Sequence, residues 1–86
     1  MFIILSYDMN AKRVHKASKI CCKYLHRVHK SVFEGELTEA KLRKLKQELE
    51  KVVNPKQDSV CIHRLGSSKF ALKEEIGISR LEESVI

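Results

Sequence analysis

Two helical stretches with the same apolar spacing, set among β-type runs in the order β-α-β-β-α-β, predict an α+β fold in which both helices cover one face of an antiparallel sheet. That is the ferredoxin-like arrangement, here with an extra C-terminal strand. Three observations carry the prediction. Val14, Ala17, Cys21, Tyr24 and Leu25 fall at offsets 0, 3, 7, 10 and 11 and so form one helical stripe. Leu42, Leu45, Leu49, Val52 and Val53 repeat those offsets, so the two helices want the same surface. Phe2-Ile3-Ile4-Leu5 is bulky, apolar and partly β-branched, as expected of a central strand covered on both faces.

Taken in order, the first strand ends where Ser6-Tyr7-Asp8 brings a carboxylate to the surface. Asn10 is the N-cap of a first helix over Ala11 to Leu25. His26 to Leu37 mixes β-branched and polar residues without a helical stripe, and it is long for one strand. It reads as two short strands hinged at Lys30-Ser31. Phe33, Gly35 and Leu37 share one face of the second, where a glycine permits close approach of another backbone. Thr38 caps the second helix, Glu39 suits the positive end of its dipole, and Asn54-Pro55 stops it. A polar linker, Lys56-Gln57-Asp58, leads into the strand Ser59 to Leu65, with Val60 and Ile62 on one face. Beyond the turn Gly66-Ser67-Ser68, the runs Phe70-Ala71-Leu72, Ile76-Gly77-Ile78 and Ser84-Val85-Ile86 are too short and charged to form a core. They suit a strand added to a sheet edge, that of a partner copy included.

A chain of 86 residues is expected to be one domain, 1–86, with 66–86 as a tail for dimer or partner contact. It buries only roughly 60–65% of its extended-chain surface, so it gains from a partner. Seventeen Lys and Arg against eleven Asp and Glu give a formal charge of +6, which favours polyanions as partners. No apolar run approaches the ~20 residues of a membrane span, and the short apolar start lacks the basic lead of a signal peptide. The cytoplasm is the expected compartment, with no membrane partner. Cys21, Cys22 and Cys61 make an odd count without zinc spacing and read as reduced thiols, Cys21 facing the core and Cys22 its edge.

The chemistry-bearing residues gather at the end of the first strand. Asp8 stands near Lys12, Arg13 and Lys16 at the start of a helix whose polar face continues through His15, Lys19 and Lys23. Such a face is commonly only solvated, but its position close to the end of the first strand suggests nucleic-acid contact, although cations at a helix N-terminus oppose the macrodipole. An acid at a strand end is by itself a common turn residue. Phe33 and Tyr7 read as packing residues, with base stacking by Phe33 as the functional alternative. His26 and His29, three apart on an extended chain, are expected to point to opposite faces and to hold no zinc.

Tyr7-Asp8, Lys12-Arg13, Arg27-Val28, Ser31-Val32-Phe33-Glu34-Gly35 with Leu37-Thr38, and Asp58-Ser59-Val60 resemble, in this order, the CRISPR-associated Cas-two family of small adaptation proteins. The resemblance spans about residues 2 to 65. It implies a ferredoxin-like homodimer that bridges integrase subunits of the Cas-one family during spacer acquisition. It also implies a metal-dependent endonuclease acting on RNA or DNA with Mg2+ or another divalent cation. Asp8 matches the metal-binding acid, with Tyr7 beside it in the catalytic pair, and Lys12, Arg13, Lys16, Arg27 and Phe33 fall where nucleic-acid contact is expected. His15, Leu25 and His29 stand where the family pattern has arginine, glycine and glutamine, so the first helix should end without its usual glycine. One aspartate per chain is a poor magnesium site, so catalysis would require two copies of Asp8 across a twofold axis. Ribonuclease toxins of the virulence-associated D type share the fold and a similar Ser-Val-aromatic strand, and they are the alternative reading. A non-catalytic scaffold is the other.

Overall fold

The computed structural model describes residues 1–65 and 71–77, the side chains of 71–74 excepted. The expected turn at Gly66-Ser67-Ser68, the closing run Ser84-Val85-Ile86, and Phe70 and Ile78 lie outside these residues. The elements are β1 (Phe2–Asp8), α1 (Ala11–Tyr24), β2 (His26–His29), β3 (Val32–Glu36), α2 (Glu39–Val52), β4 (Ser59–Leu65) and β5 (Ala71–Gly77). The sheet order is β2-β3-β1-β4-β5, with every neighbouring pair antiparallel. The ferredoxin-like expectation therefore holds, and part of the tail supplies a fifth strand on the chain's own β4.

Both helices start where a side chain can take an orphan N–H. Asn10 accepts from Lys12 N at 2.9 Å and Thr38 from Lys41 N at 3.2 Å. The helix stripes bury as their spacing requires: Ala17, Cys21, Leu42, Leu45 and Leu49 pack against Ile3, Leu5, Phe33, Val60 and Ile62 of the sheet. Burial pushes the Cys21 thiol up to about 12, so it is an inert core group, while Cys22 is exposed. The first helix stops one residue short of expectation. Leu25 turns extended at φ −131°, its N–H still reaching Cys21 O at 2.8 Å. No left-handed residue is needed, because Leu25 is anchored under the sheet. A Cβ on Gly35 would meet Leu25 Cδ2 at 3.3 Å, so the glycine makes room for it.

One expectation is corrected here. β1 is central but is covered on one face only: Ile3, Leu5 and Tyr7 are buried beneath the helices, while Phe2, Ile4 and Ser6 are half-buried on the other face. Two helices form one layer, so nothing in the described chain lies over the second face. A second correction concerns β2. The register places His26 opposite Glu34 and His29 opposite Val32, with an irregularity between Arg27 and His29. Glu34 and Val32 lie on one face of β3, so the extra residue of the bulge resets the alternation and brings both histidines to the same side.

β5 is closed at its end by Gly77, whose φ of +89° favours glycine and whose Cβ, if present, would lie 2.2 Å from Asp58 O. Gly77→Ala should therefore loosen β5 and cost about 1–3 kcal/mol. Hydrogen exchange along the β4–β5 ladder, accelerated while the β1–β3 ladder stays protected, is the measurement that checks this.

Candidate functional site

The site is built at the end of the sheet where β1 finishes and β4 begins. Asp8 is the last residue of β1 and is exposed, standing opposite Ser59 in the β1–β4 register. Residues of even number along β1 face away from the helices, so Asp8 lies on the uncovered face in line with Ile4 and Ser6. Tyr7 lies on the other side. It is 7% exposed, its ring centroid is 5.7 Å from that of Phe33, and its hydroxyl donates to Lys30 O at 3.4 Å. The catalytic pairing expected of Tyr7 and Asp8 is thus corrected: successive strand residues point apart, and Tyr7 is a core residue.

Next to Ser59, the register partner of Asp8, is a group that sequence reasoning places in a polar linker. The Asp58 side chain is fully buried. Its Oδ1 accepts from Asn10 N at 2.9 Å and from Arg13 Nη2 at 3.0 Å, and its Oδ2 accepts from Arg13 Nε at 2.6 Å and Asn54 N at 2.8 Å. The Arg13 fork beside it holds the Asp58 carboxyl well below the usual carboxylate range, aided by the two backbone N–H groups against the opposing effect of burial. Arg13 also donates to Gln57 Oε1 at 2.9 Å. This network ties the β1–α1 loop to the α2–β4 loop and so sets where Asp8 emerges. The only sequence signal for it was that Asp58 falls in the Asp-Ser-Val segment.

The expected nucleic-acid residues separate into two groups. Arg13 is engaged by Asp58 and Gln57, which makes it a bracing residue. Arg27 donates to Ser18 Oγ and lies over the Phe33 ring, 5.4 Å from its centroid. Phe33 itself is 0% exposed, so within one chain it has no face on which a base could stack. In one chain a bidentate ion pair engages Arg13 and a cation–π contact engages Arg27, which stays exposed, while complete burial withdraws Phe33 from direct contact. Lys12 and Lys16 are exposed on α1 and have no acidic partner among the described residues.

The oxygen donor of Asp8 is of the kind that Mg2+ takes, but an octahedral ion is bound by one or two carboxylates with several waters. Among the described residues no group of three or more His, Cys, Asp and Glu could hold a metal. Among these residues a single chain therefore offers no complete ligand set, and Asp8 fits the ion only if a second Asp8 is added. No described helix is long and apolar enough to cross a membrane.

A two-helix layer on a five-stranded antiparallel sheet, with an exposed carboxylate closing the central strand and a basic helix starting beside it, defines a ferredoxin-like α+β domain with a compact polar site at one sheet end. Residues 1–72 match the family model described as CRISPR associated protein Cas2, and the chain belongs to that family. It is 42% identical over 86 residues to the CRISPR-associated endoribonuclease Cas2 of Thermotoga maritima, an overlap that is 100% of this chain and 99% of that protein. To the protein of the same name from Dictyoglomus turgidum it is 38% identical over 80 residues, 93% of this chain and 92% of that one. The crystal structure of Streptococcus pyogenes Cas2 at pH 6.5 aligns with a TM-score of 0.72 at 32% identity, covering 79% of this chain and 89% of the other. At the level of the family, then, the chain is a CRISPR-associated protein with relatives named as nucleases, and the match is to the first of the two families it resembled.

Proposed function

We propose that the protein is a homodimeric subunit of CRISPR adaptation that binds nucleic-acid backbone and carries a metal-dependent endonuclease site made from two copies of Asp8. The observation that supports this best is the uncovered sheet face. Phe2, Ile4 and Val32 are only half-buried there, Leu65 is 38% exposed, and the row along β1 ends in Asp8. Apolar surface of this kind favours burial against a second layer, and a second copy of the same face is the layer that brings another Asp8 into reach. Mg2+, or another divalent cation, would supply Lewis acidity toward a phosphodiester and a lowered pKa for bound water. The chain's own part is to aim the two carboxylates, through the Asp58–Arg13 brace, and to bury the surrounding sheet.

Backbone contact is assigned to Lys12 and Lys16, which point away from the uncovered face. Binding and cleavage thus use different surfaces, and the first can serve as scaffold for an integrase subunit of the Cas-one family, in the cytoplasm, with no dependence on the second. The test has two parts. Sedimentation of the full chain should give a dimer. Binding to duplex DNA or single-stranded RNA should weaken steeply with salt and vary little with sequence, and Lys12→Gln/Lys16→Gln should lower the salt slope by about 1.8 on duplex. A monomer at micromolar concentration would remove the paired site, and salt-independent binding would remove the backbone reading.

A further inference from the structure

The charges of the two helices differ in a way that solubility does not explain. α2 carries Lys41, Arg43, Lys44, Lys46 and Lys51 interleaved with Glu39, Glu48 and Glu50, so several of its cations have an acid one turn away. α1 has the same length and no acid at all. Its exposed lysines, Lys12, Lys16, Lys19 and Lys23, follow one another at steps of four, three and four, which stacks them in a single row opposite the buried Ala17 and Cys21. Each step sets like charges within a turn, which disfavours the helix, and the first lies at the unfavourable end of the dipole. An anion lying along the row relieves all of these at once.

Among the described residues, only the last lysine of the row has an acidic partner. Lys23 Nζ and the Tyr24 hydroxyl both donate to the Glu48 carboxylate of α2, and the lysine lowers the Glu48 pKa. Lys12 and Lys19 are seven residues apart, so the unneutralised row is about 10 Å long, enough to track successive phosphates.

Resting on the backbone-binding reading above, we propose that Lys19 extends the phosphate-tracking row begun by Lys12 and Lys16, and that Glu48 ends the row by occupying Lys23. The ligand is a nucleic-acid phosphodiester backbone, read without regard to sequence. Glu48 thereby sets the number of phosphates that each protomer neutralises.

The experiment is a salt series of fluorescence anisotropy with the full chain on a random duplex DNA of about 30 base pairs and on a single-stranded RNA of the same length. Lys19→Gln should reduce the salt slope by about 0.9 on duplex and about 0.7 on the single strand, whereas Lys41→Gln on α2 should change it less. Glu48→Gln should raise the slope by about 0.9 and tighten binding, and adding Lys23→Gln should cancel the gain. Glu50→Gln, which changes net charge equally, should not reproduce it. If Lys19→Gln matches Lys41→Gln, or Glu48→Gln matches Glu50→Gln, the row is a solvated face and the proposal fails even where Lys12 and Lys16 contribute. Absence of binding by the unaltered chain to either nucleic acid overturns both this proposal and the backbone reading.

Discussion

Replacing Asp58 by alanine is expected to cost about 3–5 kcal/mol, the penalty for leaving one partner of a buried ion pair without the other. The substitution removes the acceptor of four hydrogen bonds at once: two from Arg13, one from Asn10 N and one from Asn54 N. It leaves the partly exposed Arg13 guanidinium without its carboxylate and two backbone donors without their acceptor. A domain of this length is held by about 4–13 kcal/mol, so the change consumes a large share of its stability and lowers the thermal midpoint by about 20 °C. Asp58→Asn, which keeps the shape but turns an N–H toward Arg13, should fall between the two. Urea denaturation and calorimetry measure both, and a loss for Asp58→Ala below about 1 kcal/mol would mean that solvent replaces the network. The same carboxyl sets an acid limit. Its folded pKa lies below its unfolded value near 4, so its contribution is complete above that value and drains away as pH falls further toward the folded pKa. Stability should therefore decline with acidification below about pH 5, and Asp58→Asn should flatten that limb.

On the proposed paired site, Asp8→Asn is expected to lower cleavage by at least about a hundredfold, because losing the carboxylate assigned to the metal would forfeit several kcal/mol of charge stabilisation. The variant should stay folded, since Asp8 is exposed at a strand end and the amide keeps its shape. Binding to nucleic acid should also be unchanged, as the lysines assigned to it are on α1 and not on the uncovered sheet face. Mn2+ titration calorimetry on the dimer gives an independent readout, with one ion per two chains expected for the unaltered protein and none for the variant. Cleavage that persists in Asp8→Asn would assign it to other residues or to a contaminating nuclease, and it would leave the scaffold role standing.

The periodic part of the fold was legible in the residues. The repeated offsets of the two helices, the caps Asn10 and Thr38, the stop at Asn54-Pro55 and the hinge at Lys30-Ser31 all depend on neighbours within a few positions, and each appears at its expected place. The exposure of Asp8 was legible for the same reason, since burial plainly ends there. The true role of Arg13 was not. Its partner is 45 positions away and looked like part of a solvated linker, because nothing local distinguishes an acid in Lys-Gln-Asp from any other loop acid. The burial of Phe33 with Arg27 over its ring is hidden from the sequence for the same reason. A cation and an aromatic that suit a nucleic-acid surface also suit a capped core edge, and the β2–β3 register that stacks one on the other is a non-local fact. The two histidines of β2 share a face only because a bulge intervenes.

By itself, then, the chain's order of residues determined which segments are helices and strands, which stripe each helix buries, where the carboxylate surfaces and that the molecule is basic, because these follow from periodicity, capping and composition. Tertiary structure alone decided that no described element covers one sheet face, that Asp58 rather than a surface acid organises the site, and which cations have no acidic partner among the described residues. Those outcomes depend on groups that are distant in sequence competing for the same hydrogen bonds and the same buried space, and no local pattern records who wins.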